Sequence, residues 1–140
     1  MSILVDTGAW YAIADASDRH HEEAKNFFLS RTGQARMITT DLVLTEAWAL
    51  LSSHLGRQTA RRFWASLREM QIPILTIEAA DLEAAWFIMQ LYPDQAFSLV
   101  DCTSFALMER TGIHMAFAFD SHFLIYRFGS ERRSAFQRLP

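Results

Sequence analysis

The sequence predicts an α/β domain in which a central, mainly parallel sheet is flanked by helices. Short strand-like apolar runs alternate with longer runs of helical periodicity, the pattern of strands joined by helical crossovers. Two of the short runs end directly in an acid, Asp6 and Asp120, and sites in parallel sheets form beyond the carboxyl ends of the strands. The chain has 140 residues, of which 51% are apolar and eleven are Phe, so it is long enough to bury one dense core. We therefore expect a single domain over residues 1–140.

Local signals place the elements in order. Gly56 and Gly112 stand where helix C-caps belong, and Pro73 marks the entry to a strand. The predicted strands are residues 3–5, 36–39, 74–77 and 114–119, with a final short strand near 135–139. The predicted helices are residues 8–14, 18–30, 41–55, 57–70, 78–91 and 98–111.

Composition limits the class of protein. The formal net charge of −3 argues against a uniformly basic nucleic-acid binder. Twelve of the thirteen basic residues are nonetheless Arg, which suits bidentate contacts with phosphate. One cysteine, Cys102, allows no internal disulfide and suits a reducing compartment. We see neither a secretion signal nor an apolar run long enough to span a bilayer, so the expected location is the cytoplasm, with no membrane partner.

Four carboxylates interrupt otherwise apolar stretches. Asp6 and Asp120 follow predicted strands, Glu46 is the only acid between Leu42 and Leu55, and Asp101 opens a predicted helix. An ionised acid in apolar surroundings is costly unless it is paired or coordinates a metal. Because none of these segments carries a Lys or Arg, a shared divalent cation would account for all four acids together.

Each acid also has an ordinary structural explanation. Asp101 stands three residues after Ser98, the spacing of a capping box. Asp6 has the position of a helix cap, and Asp120 that of a turn or cap after a strand. Glu46 lies on a helix that is apolar nearly all round, so we expect that helix to be buried and Glu46 to meet the cation or a distant Arg.

Longer matching stretches identify a family. The triplet Asp6-Thr7-Gly8 also occurs in aspartic proteases, but those are all-β proteins. Haloacid-dehalogenase phosphatases and response-regulator receivers have a Lys late in the fold. The only Lys of this chain is Lys25, near its start, so these families match less well. The chain instead resembles the PIN-domain nucleases over its whole length, through the segments VDTGAWYA (5–12), DRHH (18–21), TTDLVLTE (39–46), SLVD (98–101) and FDSHF (119–123). It departs from their pattern at Val100 and Ala118, where many members have a hydroxyl.

The resemblance implies a PIN-like three-layer domain and an activity. Single-domain members of this size are typically VapC-type toxins of toxin–antitoxin pairs, so the resemblance implies a metal-dependent endoribonuclease. It also implies three partners: an RNA substrate, a cognate antitoxin and a second copy of the chain in a homodimer. The cofactor implied is Mg²⁺ or Mn²⁺. Asp6 and Asp101 are the first choices as direct ligands; Glu46 and Asp120 would complete the site, bind a second ion or hold the attacking water.

Other residues are secondary candidates. Thr7 and Ser121 are hydroxyls that would orient the site or simply cap turns. We interpret His20, His21 and His122 as surface histidines in preference to metal ligands or catalytic groups. Arg57, Arg61 and Arg68 form one stripe along a predicted helix, which is either a solvated edge or a contact surface for RNA or a partner. The basic tail with Arg138 is likewise either solvated or a contact for RNA or the antitoxin. Two other functions stay open: a PIN-fold module that binds RNA or protein without cutting, and a phosphatase for small phosphoesters.

Overall fold

The computed structural model describes all residues from 1 to 140. Seven helices and seven strands follow one another along the chain. The strands are β1 (Ser2–Val5), β2 (Arg36–Thr40), β3 (Ile74–Leu75), β4 (Met115–Phe117), β5 (Arg127–Phe128), β6 (Ser134–Ala135) and β7 (Gln137–Leu139). The helices are α1 (Thr7–Ala14), α2 (His21–Arg31), α3 (Asp41–Leu55), α4 (Arg57–Glu69), α5 (Ala79–Leu91), α6 (Leu99–Thr111) and α7 (His122–Ile125).

Five strands form one parallel sheet in the order β3-β2-β1-β4-β7. Successive side chains of a strand point to opposite faces, and the two faces carry separate cores. Ile3, Val5 and Phe117 pack with helices α1 to α4, whereas Leu4 and Ala116 pack with α5, α6 and α7. The predicted three-layer α/β fold with a central parallel sheet is thereby confirmed.

Tertiary contacts move several predicted boundaries. The strands predicted at 74–77 and 114–119 are shorter in the structure, at Ile74–Leu75 and Met115–Phe117. Only these residues lie beside a neighbouring strand and form hydrogen bonds with it. The predicted strand 135–139 is two strands: β6 pairs with β5 in an antiparallel hairpin, while β7 joins the main sheet, and buried Phe136 lies between them. Helix α2 starts at His21 rather than residue 18, because Asp18 accepts the backbone N–H of His20 in a turn.

The expectation that α3 is buried all round was wrong. Only Val43, Ala47 and Leu51 are buried along it. These three side chains face the sheet and the neighbouring helices, whereas Leu50 and Leu55 lie on an exposed side. An apolar residue does not have to be inside, since much of any protein surface is apolar.

None of the helices combines the length and the apolar character needed to cross a lipid bilayer.

Candidate active site

Asp6 is fixed at the carboxyl edge of the sheet. Its backbone N–H donates to the carbonyl of Phe117 at 3.0 Å, which holds the ends of β1 and β4 side by side. Asp6 is also the N-cap of α1, but its side chain makes no capping hydrogen bond. The residue is 3% exposed, and its carboxylate has no ion-pair partner. The capping interpretation therefore does not explain why an acid stands here.

Asp101 combines a structural and a local electrostatic role. Its backbone N–H donates to Ser98 Oγ at 3.0 Å, and its Oδ2 accepts the backbone N–H of Ser98 at 3.0 Å, so the expected capping box is present. The same Oδ2 lies 2.7 Å from His122 Nδ1. Since an ionised carboxylate only accepts, that ring nitrogen is the donor. The capping box directs the buried carboxylate toward the strand ends.

Asp120 lies in the turn after β4, as the turn interpretation expected. Its Oδ1 accepts the backbone N–H of His122 at 3.0 Å. The guanidinium of Arg138 in β7 donates to the carbonyls of Phe119 and Asp120, each at 3.1 Å. Arg138 is therefore engaged in holding this turn rather than being a free cation of the basic tail.

His122 belongs to the site, contrary to its interpretation as a surface histidine. One ligand atom from each of Asp101, Asp120 and His122 lies within 4.8 Å of the others. The ring of His122 also packs edge-on against Phe97, with centroids 5.4 Å apart. The sequence did carry a signal, because His122 follows the strand-end Asp120 by two residues and the turn folds it back.

Glu46 lies on α3, and its charge acts on Asp6. The hydroxyl of Thr40, at the end of β2, accepts the backbone N–H of Val43 at 3.0 Å and so starts α3 directly at the strand end. Glu46 is half-buried, and no Lys or Arg forms an ion pair with it. The alternative of a distant Arg partner for Glu46 is wrong.

The negative charges of the other three acids all act on Asp6. Burial raises the pKa of Asp6 well above its ordinary value, and the negative charges of Asp120, Asp101 and Glu46 raise it further. Burial also raises the pKa of Asp120, while its hydrogen bond from the His122 backbone lowers it in part. The sheet edge therefore holds more negative charge than its surroundings compensate.

This donor set fits a divalent cation. Mg²⁺ takes oxygen ligands, and Asp101 and Asp120 supply carboxylate oxygens within the 4.8 Å cluster. Asp6 lies outside that cluster but is near enough for both charges to act on it. A cation would also remove the cost of burying Asp6 without a partner. Next to Asp6, the buried hydroxyl of Thr7 has no hydrogen-bond partner, whereas Ser121 is exposed and its hydroxyl caps nothing.

The arginine stripe lies elsewhere on the surface. Arg57, Arg61 and Arg68 are exposed along α4 and line a shallow groove with Trp48 and Trp64. The guanidinium of Arg68 lies 5.6 Å from the ring centroid of Trp64. This groove shares no residue with the acidic edge, so the stripe is not part of the acid cluster.

Cys102 lies directly beside the acids in sequence but points into the core. It is fully buried on α6. Burial, with a smaller contribution from the charge of Asp101, raises the pKa of its thiol to about 11. The thiol is therefore protonated at neutral pH and takes no part in the site.

A parallel α/β sheet with carboxylates converging beyond its strand ends defines a class of proteins with acidic, cation-binding sites. A family model described as PIN domain matches residues 3–129, and the chain belongs to that family. The expected PIN-like fold and family are thus confirmed.

Similar proteins are named as ribosomal RNA endonucleases. The chain is 36% identical over 122 residues to the 23S rRNA-specific endonuclease VapC20 of Mycobacterium tuberculosis, in strains CDC 1551 / Oshkosh and H37Rv, covering 86% of this chain and 91% of the relative. It is also similar to the crystal structure of VapC20, described as a Sarcin-Ricin loop cleaving toxin, with a TM-score of 0.79 and 33% identity over 85% of this chain and 90% of that one.

A more distant structure shares the fold alone. VapBC2 from Rickettsia felis, bound to a DNA fragment from its promoter, has a TM-score of 0.60 at 9% identity, covering 86% of this chain and 100% of that one. Because the closer relatives are named endonucleases, the comparisons do not favour the alternative of a PIN-fold module without cleavage activity.

Proposed function

We propose that this chain is an endoribonuclease that hydrolyses RNA phosphodiester bonds with a divalent cation, Mg²⁺ or Mn²⁺, and that it acts as the toxin of a toxin–antitoxin pair. The observation that carries the proposal is the convergence of Asp101, Asp120 and His122 within 4.8 Å beside the buried, unpaired Asp6. Membership of the PIN domain family and the endonuclease names of the relatives support the reaction class. Residues 1–140 would form a single PIN domain.

The acids have distinct tasks in this proposal. Asp6 and Asp101 hold the cation directly, since both are buried and fixed by the backbone around them. Asp120 closes the site from the turn after β4, and Glu46 holds the attacking water from α3. When bound, the cation supplies Lewis acidity and neutralises the charge of the scissile phosphate.

His122 positions Asp101 rather than replacing it as a ligand. Its Nδ1–H donates to Asp101 Oδ2 at 2.7 Å, which leaves that nitrogen without a lone pair for a metal. The ring thereby fixes which oxygen of Asp101 faces the site. Such outer hydrogen bonds typically affect metal affinity or activity by about 10- to 100-fold. Thr7 and Ser121 keep the role of hydroxyls that orient the site.

RNA is the proposed substrate class, and 23S rRNA is the first molecule to test, because the relatives act on it. The assay compares purified protein, freed of antitoxin, with Mg²⁺, with Mn²⁺ and with EDTA. We expect cutting with either cation and none with EDTA, and we expect Asp6→Asn and Asp101→Asn to remove it. Cutting that survives both substitutions would contradict the proposal. A folded protein that binds but never cuts RNA would favour the binding-module alternative.

The proposed protein partners are a cognate antitoxin and a second copy of the chain. Helix α5 presents Leu82, Trp86 and Phe87 outward, with Trp86 64% exposed. Contiguous exposed apolar side chains of this size commonly mark protein interfaces. Light scattering on the purified chain tests the homodimer: we expect a mass of two copies and a single copy for Trp86→Asp. A single copy for the unmodified chain would contradict it.

A further inference from the structure

A second cleft opens directly beside the acidic edge. Asp120 and Gly8 are among the residues that line it, and its volume is about 400 Å³, within the range of about 300–1,000 Å³ for small-molecule sites. We call it the histidine cleft, because His20 and His54 line it together with Tyr11. Since Asp120 belongs to both, the cleft is continuous with the proposed reaction centre.

The walls of the histidine cleft are aromatic. The ring of His20 stacks on Phe119, with centroids 4.3 Å apart and planes 10° from parallel. The rings of Tyr11 and His54 meet edge to face at 5.7 Å. The Nε–H of Arg19 donates to His20 Nε2 at 3.2 Å, so two contacts hold this ring in place. Fixed aromatic rings are the surfaces on which unpaired RNA bases stack.

Arg19 is the one Lys or Arg that lines the cleft, beside the carboxylates of Asp18 and Asp120. Arg19 is exposed and forms no ion pair. Its Nε–H is used by His20, which leaves the two terminal Nη groups for a phosphate. Asp18 also lines the cleft, but one of its oxygens accepts the backbone N–H of His20 at 2.8 Å. That bond shapes the turn that presents both His20 and Arg19.

Gly8 lines the cleft next to open space. A Cβ at this position would meet no atom within 4 Å. Gly8 lies in α1, where a residue with a side chain is favoured over glycine by about 0.5–1 kcal/mol. A larger residue would therefore occupy the cleft without disturbing the fold.

We propose that the histidine cleft binds the base of an unpaired RNA nucleotide next to the phosphate that is cut. The base stacks against the ring of His20, with Tyr11 and His54 as the opposite wall and Arg19 on a flanking phosphate. This inference rests on the proposed ribonuclease function. It adds a subsite that selects single-stranded or looped RNA, because a base inside a duplex cannot enter the cleft.

The test separates base contacts from phosphate contacts. Two fluorescein-labelled decamers, an oligo(A) RNA and a ribose–phosphate chain without bases, are titrated with Mg²⁺ present and binding is followed by anisotropy. All proteins carry Asp6→Asn so that the RNA stays intact. His20→Ala and His54→Ala are compared with His114→Ala, a matched control. His114 also stacks on a phenylalanine, Phe128, but outside the cleft.

We expect His20→Ala and His54→Ala to weaken binding of oligo(A) by at least about fivefold, the scale of one lost stacking contact. Binding of the chain without bases should stay unchanged, and His114→Ala should change neither. Gly8→Leu, a second variant that fills the cleft, should act like His20→Ala while its thermal midpoint stays equal or rises. Equal losses on both decamers, or no loss on either, would overturn the proposal.

The proposed function is checked separately in proteins that lack the Asp6 substitution. Cutting retained by Asp101→Asn would refute the carboxylate mechanism and leave the binding comparison standing. Cutting abolished in Asp101→Asn together with unchanged oligo(A) binding in His20→Ala would refute only the base subsite.

Discussion

Two neighbouring helices begin in the same way and use the motif differently. In α5, Asp81 accepts the backbone N–H of Glu78 at 2.9 Å; in α6, Asp101 accepts that of Ser98 at 3.0 Å. Both aspartates stand three residues after the helix cap and both are buried. Asp81 is then clamped by Arg110, whose Nε and Nη2 donate at 2.8 and 2.9 Å. Asp101 has no arginine partner and lies among further acids.

The difference shows what a capping box does and does not determine. The local spacing places a carboxylate in the first turn and directs it to the backbone before the helix. The partner from elsewhere in the chain decides the rest. Paired with Arg110, Asp81 is a satisfied structural acid; beside Asp120 and His122, Asp101 retains an oxygen for a cation.

The largest difference between substitutions at Asp101 and at Asp81 should be in the rate of RNA cleavage. Asparagine keeps the size of aspartate and an oxygen that accepts the capping hydrogen bond, but it has no charge. We expect Asp101→Asn to lower the cleavage rate by on the order of 100-fold or more, the scale for losing a group that acts at the reacting atoms. Asp81→Asn should stay within about twofold of the unmodified protein, because Asp81 is not part of the acid cluster. Equal losses in single-turnover cleavage would show that both boxes serve only the fold.

Folding stability should show the opposite ranking. Asp81→Asn weakens a charge-assisted pair, worth about 1.5–3 kcal/mol in general. The Arg110 side chain is 39% exposed, so solvent screening reduces the expected loss to about 1–2 kcal/mol. Asp101→Asn removes a charge from a crowded acidic edge and should be neutral or stabilising without cations. Urea unfolding in EDTA measures both; a larger loss for Asp101→Asn would contradict the comparison.

A divalent cation should stabilise only a protein whose acidic edge is intact. A ligand that binds the folded state alone, at about five times its Kd, adds about 1 kcal/mol. We expect Mn²⁺ to raise the thermal midpoint of the unmodified protein and of Asp81→Asn by the same few degrees. Asp101→Asn should show no such rise. A rise of equal size in all three proteins would place cation binding outside the acid cluster.

The smallest effect should appear as a pH dependence of stability. The hydrogen bonds from Arg110 hold the pKa of Asp81 below its ordinary value, against the opposing effect of burial. An acid with a lowered folded-state pKa contributes stability above its unfolded pKa, about 3.9, and loses it as pH falls through the folded value. The difference between the unmodified protein and Asp81→Asn should therefore be constant from pH 5 to 7 and shrink below about pH 4. Urea midpoints across that range test the sign.

The sequence predicted the parts of the site that depend on strand ends. Asp6 and Asp120 follow apolar runs, and parallel strands bring such positions to one edge. The capping box at Asp101 was also readable, since it is a local spacing. The same reasoning could not separate Asp101 from Asp81, because Arg110 is 29 residues away from Asp81 in the chain.

The remaining wrong expectations also concern contacts between residues that are far apart in the sequence. His122 looked like a surface histidine because its partner, Asp101, is 21 residues away. The burial of α3 was overestimated, since composition alone does not say which side of a helix meets the sheet. Arg138 looked free in the sequence, whereas β7 pairs with β4 and brings its guanidinium to the carbonyls of Phe119 and Asp120.

The buried thiol of Cys102 gives this fold an internal reporter. It is the only cysteine in the chain and lies one residue from Asp101. Because the folded protein keeps the thiol protonated and out of solvent, a thiol-modifying reagent reacts only when α6 opens. The rate of labelling therefore measures how often the catalytic edge comes apart, without any added probe. A substrate or cation that rigidifies α6 lengthens the labelling time in proportion, and this can be read by mass spectrometry on unmodified protein.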